Sequence, residues 1–369
     1  MLNRTKVLKE LSHKTPTIFL DYALERAHAL ALWQKVVANP VFQKQVQVSQ
    51  FPWVIPTWAG PIEHTQTVLL GDSGYQALSV DGSQIYPDRH QGINCYVINI
   101  GSVALHYNNP SSIFLDSTPY VSFETQEDNN EISPEIVNCR RTELELRTGL
   151  ELSKKFMNQL PLVFMVDGSL IFWHLESKEP AMKYRFLASY LALLEQFYQE
   201  KILIAGYISL PKSKELVNIL RAACLLPENS TGLDYCVDHL VDTDVADFFV
   251  TPGTRTALFA HRSTITQEYP EHLKPYFFYM HVGTEIARIE IPAYIAHDAQ
   301  KVATVAQIIL DQSIKGRGYP VCLAEAHEQA VVKGADRDFF YHLLQKITLD
   351  QKQHYHVSQK SLKKRSIGI

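Results

Sequence analysis

The 369-residue sequence is short of cysteine, has no surplus of positive charge and contains no long apolar run. Its five cysteines, Cys95, Cys139, Cys224, Cys236 and Cys322, are odd in number and show no C-x-x-C spacing. Neither a disulfide framework nor a thiolate metal site is expected from them. No stretch reaches the roughly 18 apolar residues of a spanning helix, which excludes an integral helical membrane protein. The basic start, MLNRTKVLKELSHK, lacks an apolar segment and a small-residue cleavage site, so it does not read as a secretory signal. These absences make a reduced, cytoplasmic protein the expectation. Lys plus Arg number 35 against 39 Asp plus Glu, a net of −4, which speaks against a partner held only by neutralising phosphates. Repeats of fixed period and low-complexity segments are also missing. What remains is ordinary globular composition, 46% hydrophobic and 11% aromatic, in a chain long enough for two or three domains of about 150 residues or one large domain with insertions.

Residues 18–38 are rich in Ala and Leu and stop before Pro40, a helical pattern followed by the Pro- and Trp-bearing loop FPWVIPTWAGP. Strand signals then cluster at 78–81, 94–107 and 112–123, where Val, Ile, Tyr and Phe dominate. A helix is expected from about Pro134 to Asn158, with Ser133 as N-cap and Pro134 in its first position. LVFMVD (162–167) and ILIAGYIS (202–209) read as strands buried on both faces, with helices at 183–200 and 212–226 around the second. Residues 277–292 look strand-like, and helices return near 298–315, 321–333 and 337–347. The expected fold class is α/β: a mixed sheet, a three-strand meander on one side and parallel strands on the other, flanked by helices and preceded by an N-terminal helical extension.

Two strands end in the same local design, an aspartate followed by Gly and Ser: LSVDGSQ at Asp81 and LVFMVDGSL at Asp167. A single Asp-Gly is a common turn signal. Two copies after buried strands instead hold two carboxylates at one sheet edge, where ligands gather. Carboxylates that bind divalent cations must converge from several elements. The helix between the strands offers Glu143, Glu145 and Glu151. At about 100° per residue, Glu143 lies on or beside the apolar stripe of Ile136, Cys139, Leu146, Leu150 and Met157. Glu145 sits on the other shoulder, near Thr142 and Gly149, and Glu151 projects among Arg140, Arg147 and Lys154. A strand of five steps at about 3.3 Å matches roughly eleven helical residues at 1.5 Å each, so a Glu level with Asp167 belongs near 147. That fits Glu143 or Glu145 and not Glu151; Glu143 is the first choice and Glu145 the reserve. A Glu at 143 can equally pair with Arg147 on a solvated flank. Later, GYPVCLAEAHEQAVV places His327 on a helix, a ligand or water-orienting group if that helix reaches the carboxylates. Asp336 and Asp338 read as caps.

These segments resemble the NurA nuclease family. The resemblance rests on VDGSQIYPDRH (80–90), RRTELELRTGLEL (140–152), LVFMVDGSLIFW (162–173), AGYISLPKSKELVNILR (205–221), ARIEIP (287–292) and YPVCLAEAHEQA (319–330), in order along about residues 70–335. It implies an RNase H-like core and a DNA nuclease dependent on Mn²⁺, with Mg²⁺ as a substitute and two ions per site. It also implies 5′ to 3′ action on DNA ends, single-strand endonuclease activity, a homodimer, and partnership with the hexameric HerA ATPase in DNA-end processing. The family's metal and catalytic positions fall on Asp81, Glu143 or Glu145, Asp167 and His327. The family's C-terminal tyrosine falls on Tyr319, which would serve the substrate, as Arg288 would by its charge. The implied domain plan is an extension over 1–65, a nuclease domain over 66–347 with an insertion at about 227–297, and a basic tail over 348–369.

Two other classes compete. A catalytically silent adaptor of a motor ATPase would need none of Asp81, Asp167, a helix Glu or His327. A glycosidase using Asp81 and Asp167 as acid and base would need different surroundings for the two carboxyls, and near-identical D-G-S turns offer none. Positive charge for DNA is expected at Arg140, Arg141, Arg147 and Arg288 and in the tail at Lys363, Lys364 and Arg365. Trp53 and Trp58 are expected to pack as a loop on the core.

Overall fold

A computed structural model describes residues 2–18, 22–49, 51–71, 73–88, 95–108, 110–123, 132–226 and 237–350; the tail lysines and Arg365 lie outside them. The chain begins with α1 (Arg4–Ile18), α2 (Ala23–Ala38) and α3 (Phe42–Val48), then the short strands β1 (Thr57–Trp58) and β2 (Thr65–Thr67). Three long strands follow, β3 (Tyr75–Ile85), β4 (Cys95–Tyr107) and β5 (Ser112–Phe123), and then α4 (Pro134–Phe156), β6 (Leu162–Asp167), α5 (Pro180–Gln199), β7 (Leu203–Ile208) and α6 (Glu215–Leu225). After α7 (Asp242–Ala246) come β8 (Thr254–Thr256), β9 (Phe259–Ala260), β10 (Pro275–His281) and β11 (Ile286–Pro292). Helices α8 (Ala293–Ala296), α9 (Ala299–Lys315), α10 (Val321–Ala330) and α11 (Gly334–Asp350) complete the described chain.

These strands form one sheet in the order β1-β9-β10-β11-β7-β6-β3-β4-β5, with β2 and β8 attached at its side. Its centre is the RNase H-like arrangement: β3, β4 and β5 make an antiparallel meander, while β6 and β7 run parallel to β3. The parallel register pairs Gln76 with Leu162 and Ser79 with Met165, and the same offset brings Asp81 level with Asp167. Because side chains alternate across a sheet, this register also puts both aspartates on one face.

Helix α4 starts as expected. The Ser133 side chain accepts from the Ile136 N–H, Pro134 occupies the first turn, and Val137, Cys139, Leu146 and Leu150 are buried. Phe164 of β6 fills the space left by Gly149, where a Cβ would lie 2.1 Å from its ring. The helix axis therefore sits unusually close to the sheet at this turn. The large apolar core lies between this sheet and its helices, with Leu78, Phe164, Ile204 and Ile289 at its heart. A second core joins the N-terminal helices to α6 and β10, including Trp33, stacked on Phe249 at 5.0 Å, and Trp58.

Three differences from the sequence reading have clear causes. Strand β3 does not stop at Asp81; its parallel neighbour β6 ends at Asp167, but the antiparallel partner β4 pairs it through Ile85. The strand-like stretch 277–292 is a hairpin, because the chain reverses at Gly283, whose φ is +105°. Within the segment read as an insertion, β11 pairs with β7 through Tyr207 and Ile289 and so extends the central sheet.

Candidate active site

The level aspartates come from different strand contexts. Asp81 is held mid-strand on β3, opposite Gly101 of β4, and its Oδ1 accepts the Gly82 N–H at 2.8 Å. Asp167 is the last residue of β6, at the strand end, where the residue is exposed but its carboxyl is partly covered. Helix α10 packs on β3 and β4, where the Ala330 carbonyl accepts from Ser83 Oγ and from Asn99 Nδ2 at 2.8 Å. That docking places His327 Nδ1 2.8 Å from Asp81 Oδ2. Tyr319, just before α10, hydrogen-bonds to Asp167 and meets the Tyr207 ring edge-on at 5.4 Å. Asp81, Asp167, His327 and Tyr319 thus share one face of the sheet edge.

The helix carboxylate that joins them is Glu145 and not Glu143. Glu143 is turned to a different neighbourhood: Arg140 and Arg147 each reach it at 2.9 Å, and Ser189 of α5 donates to it at 2.9 Å. Burial alone would push its carboxyl up, but these donors outweigh burial and hold it below the usual range. Glu143 is therefore committed to tying α4 to α5. Glu145 instead reaches the Gly82 N–H and carries an Arg141 guanidinium at 3.3 Å. Its route is opened by Gly82, since a Cβ there would fall 2.7 Å from Glu145 Oε1 and 2.6 Å from Arg141 Cγ. Gly82 points to the α4 face and Asp81 to the α10 face, so the acids gather from both sides of one strand.

Their mutual influence appears in their protonation. Burial pushes the Glu145 carboxyl up to about 7; Arg141 and the Gly82 N–H oppose this, while the Asp81 and Asp167 charges add to it. Asp167 is also raised, first by loss of water around it and then by Asp81, against the Tyr319 hydrogen bond and His327. The Tyr319 hydroxyl, desolvated beside Asp167, is raised well above its usual value. Carboxylate oxygens with one imidazole are the donor chemistry of hard divalent cations such as Mg²⁺ and Mn²⁺. A cation among Asp81, Glu145 and Asp167 would offset the burial and the smaller mutual repulsion that raise Glu145 and Asp167, so the residue types suit that group. Among the described residues no group of three or more His, Cys, Asp or Glu side chains is placed to hold a metal ion; Arg141, His327 and Tyr319 engage the acids instead.

Arg288 was expected to serve the substrate, but its charge is committed to carboxylates of the chain itself. It is 2% exposed, with its guanidinium bonded to Glu290 at 2.8 Å and Glu215 at 2.9 Å and stacked over Phe277. A charge buried on an interior strand must be paired, and two carboxylates do so here. The sequence reading missed the work of Gly82 and of Arg141, the residue that meets Glu145. The signal was present in Gly149, one helical turn after Glu145, because small residues mark where a helix can approach a sheet closely.

A model of the NurA domain family matches residues 75–332. The crystal structure of the NurA nuclease from Sulfolobus solfataricus is similar over 95% of this chain and 98% of that one, with a TM-score of 0.55 and 15% identity. A crystal structure of LC9-RNase H1, a type 1 RNase H, matches over 40% of this chain and 69% of that one, with a TM-score of 0.25 and 12% identity. No curated protein matches the sequence. The family match takes in both D-G-S segments, α4, Tyr319 and His327 together, and the chain belongs to the NurA family.

Proposed function

We propose that the chain is a metal-dependent DNA nuclease that cuts phosphodiester bonds as a 5′ to 3′ exonuclease, a single-strand endonuclease or both. The observation that carries this reading is the convergence of Asp81, Glu145 and Asp167 from β3, α4 and β6 with His327 bonded to Asp81. Family membership supports a nuclease role in general. The three carboxylates would hold Mn²⁺, or Mg²⁺ in its place, as two ions. Bound there, such ions supply positive charge to the attacking water and to the leaving 3′-oxygen. The chain's own residues supply order. Tyr319 fixes the Asp167 carboxylate, Arg141 and the Gly82 N–H orient Glu145, and His327 Nδ1 stands where it can hold or pass a proton at Asp81 Oδ2. We further propose, from the family resemblance, that the chain acts as a homodimer with a hexameric HerA-type ATPase in DNA-end processing. No described helix is long and apolar enough to cross a membrane.

The alternative, a silent adaptor of the same motor, leaves the acid cluster without a purpose. Purified protein with Mn²⁺ should shorten 5′-labelled single-stranded DNA, and Asp81→Ala and Asp167→Ala should each abolish shortening. Equal behaviour of the wild type and both variants refutes the nuclease and leaves the adaptor.

A further inference from the structure

Strands β6 and β7 end side by side, and beyond their ends a cleft of about 500 Å³ opens between the loop after Asp167 and the loop before α6. The volume is in the range of roughly 300–1,000 Å³ typical of sites for small ligand groups. Ser169, two residues past Asp167, forms its near wall, so the cleft begins on the loop that leaves the acid site. Trp173 lines it and remains 40% exposed, although its ring is braced edge-to-face by the buried His261 at 5.0 Å. Lys212 and Lys214 stand on the opposite wall. Lys214 donates to the Asp238 carbonyl, a neutral acceptor that leaves its charge in place. The carboxylates that also line the cleft, Glu215 and Glu290, are both bound by Arg288. One guanidinium against two carboxylates leaves a single negative charge, which the two lysines outnumber, so the cleft offers a ligand an aromatic face and a positive wall.

We propose that this cleft is a subsite for an unpaired nucleotide of the DNA strand, next to the scissile phosphate: its base stacks on Trp173 and its phosphate lies against Lys212. The inference rests on the nuclease reading only for the strand's origin. The cleft commits to single-stranded DNA because a base inside a duplex has no free face to offer, while a braced, half-open indole is the platform such a base needs. The buried network of Arg288, Glu215 and Glu290 then acts as the rigid floor of the subsite. It also holds the loop that follows Asp167, since Glu290 accepts from Ser169 Oγ at 2.7 Å and from the Leu170 N–H at 2.9 Å.

The test uses the full chain and a fluorescein-labelled oligothymidylate in calcium, read by anisotropy, with Mn²⁺ cleavage measured separately. Trp173→Ala should weaken oligothymidylate binding about tenfold, the loss of one base stack, and Trp173→Phe should restore most of it. Lys212→Ala should reduce the slope of log affinity against log salt by about 0.7. Binding of a blunt duplex should be the same in the wild type and Trp173→Ala. Unchanged oligothymidylate binding in Trp173→Ala, or equal loss in the Ala and Phe variants, overturns the subsite. If the wild type cleaves while Trp173→Ala binds normally, the subsite falls and the nuclease stands. Weakened Trp173→Ala binding in a wild type that never cleaves leaves the subsite and removes the nuclease. A wild type that neither binds nor cleaves removes both.

Discussion

Gly82→Ala separates the acid cluster from the fold that carries it. Gly82 does not adopt a positive φ, so alanine fits its backbone, and loss of glycine's freedom in the unfolded chain favours the folded state by about 0.4–1 kcal/mol. The new Cβ would stand 2.7 Å from Glu145 Oε1 and 2.6 Å from Arg141 Cγ, both on long side chains. Glu145 must retreat by roughly 0.8 Å to regain ordinary van der Waals separation. A misplacement of about 1 Å in a catalytic group costs on the order of a hundredfold in rate. The expected result is a melting temperature equal to or slightly above wild type together with a Mn²⁺-dependent cleavage rate about a hundredfold lower. Gly149→Ala is the contrast: its Cβ would lie 2.1 Å from the Phe164 ring inside the core. It should lower stability by about 1–3 kcal/mol or more through overpacking. Cleavage by Gly82→Ala at the wild-type rate, or a loss of melting temperature as large as that of Gly149→Ala, refutes the claim that this glycine exists to admit Glu145.

Two further outcomes follow from the same geometry. Glu145→Gln should abolish Mn²⁺-dependent cleavage with the fold intact. Glu143→Gln should keep cleavage near wild type and lower stability by about 1–2 kcal/mol, because it weakens charged hydrogen bonds to Arg140, Arg147 and Ser189; thermal melts beside oligonucleotide assays distinguish the two, and the reverse pattern would restore Glu143 as the ligand. The second outcome concerns pH. Glu145 ionises at about 7 in the folded protein and near its ordinary value of about 4.3 when unfolded, so between these values the folded state holds a proton that the unfolded state has lost. Stability is therefore retained at low pH and falls as pH rises toward 7. Wild-type melting temperature should decline across this window relative to Glu145→Gln, and Mn²⁺ should reverse the decline by favouring the ionised carboxylate. Parallel curves for the two proteins would contradict the raised carboxyl.

Much of this was written in the local pattern. The meander, the buried parallel strands and the capped start of α4 follow from residue periodicity, Ser133 and Pro134, signals that act over a few positions. The pairing of Asp81 with Asp167 was legible because both end the same apolar D-G-S phrase. The choice between Glu143 and Glu145 was not. Two residues apart on a helix, they differ by about 200° in direction, and which way is inward depends on where Gly149 lets the helix settle against Phe164. The i,i+4 pairing of Glu143 with Arg147, visible in the sequence, was in fact its use. Arg288 was misread for a related reason: a basic residue in an apolar strand looks available until Glu215, distant in sequence, arrives to bury it.

Asp81 and His327 are 246 residues apart and meet only when α10 docks on the finished meander. For a chain with nuclease chemistry this spacing orders events in time. A polypeptide that has emerged as far as Asp167 carries both strand carboxylates but neither Tyr319 nor His327, and only lengths beyond residue 327 possess the complete set. The proposed acid site is thus completed only after synthesis has passed α10, and the strand carboxylates alone, present from residue 167 onward, lack the imidazole bonded to Asp81.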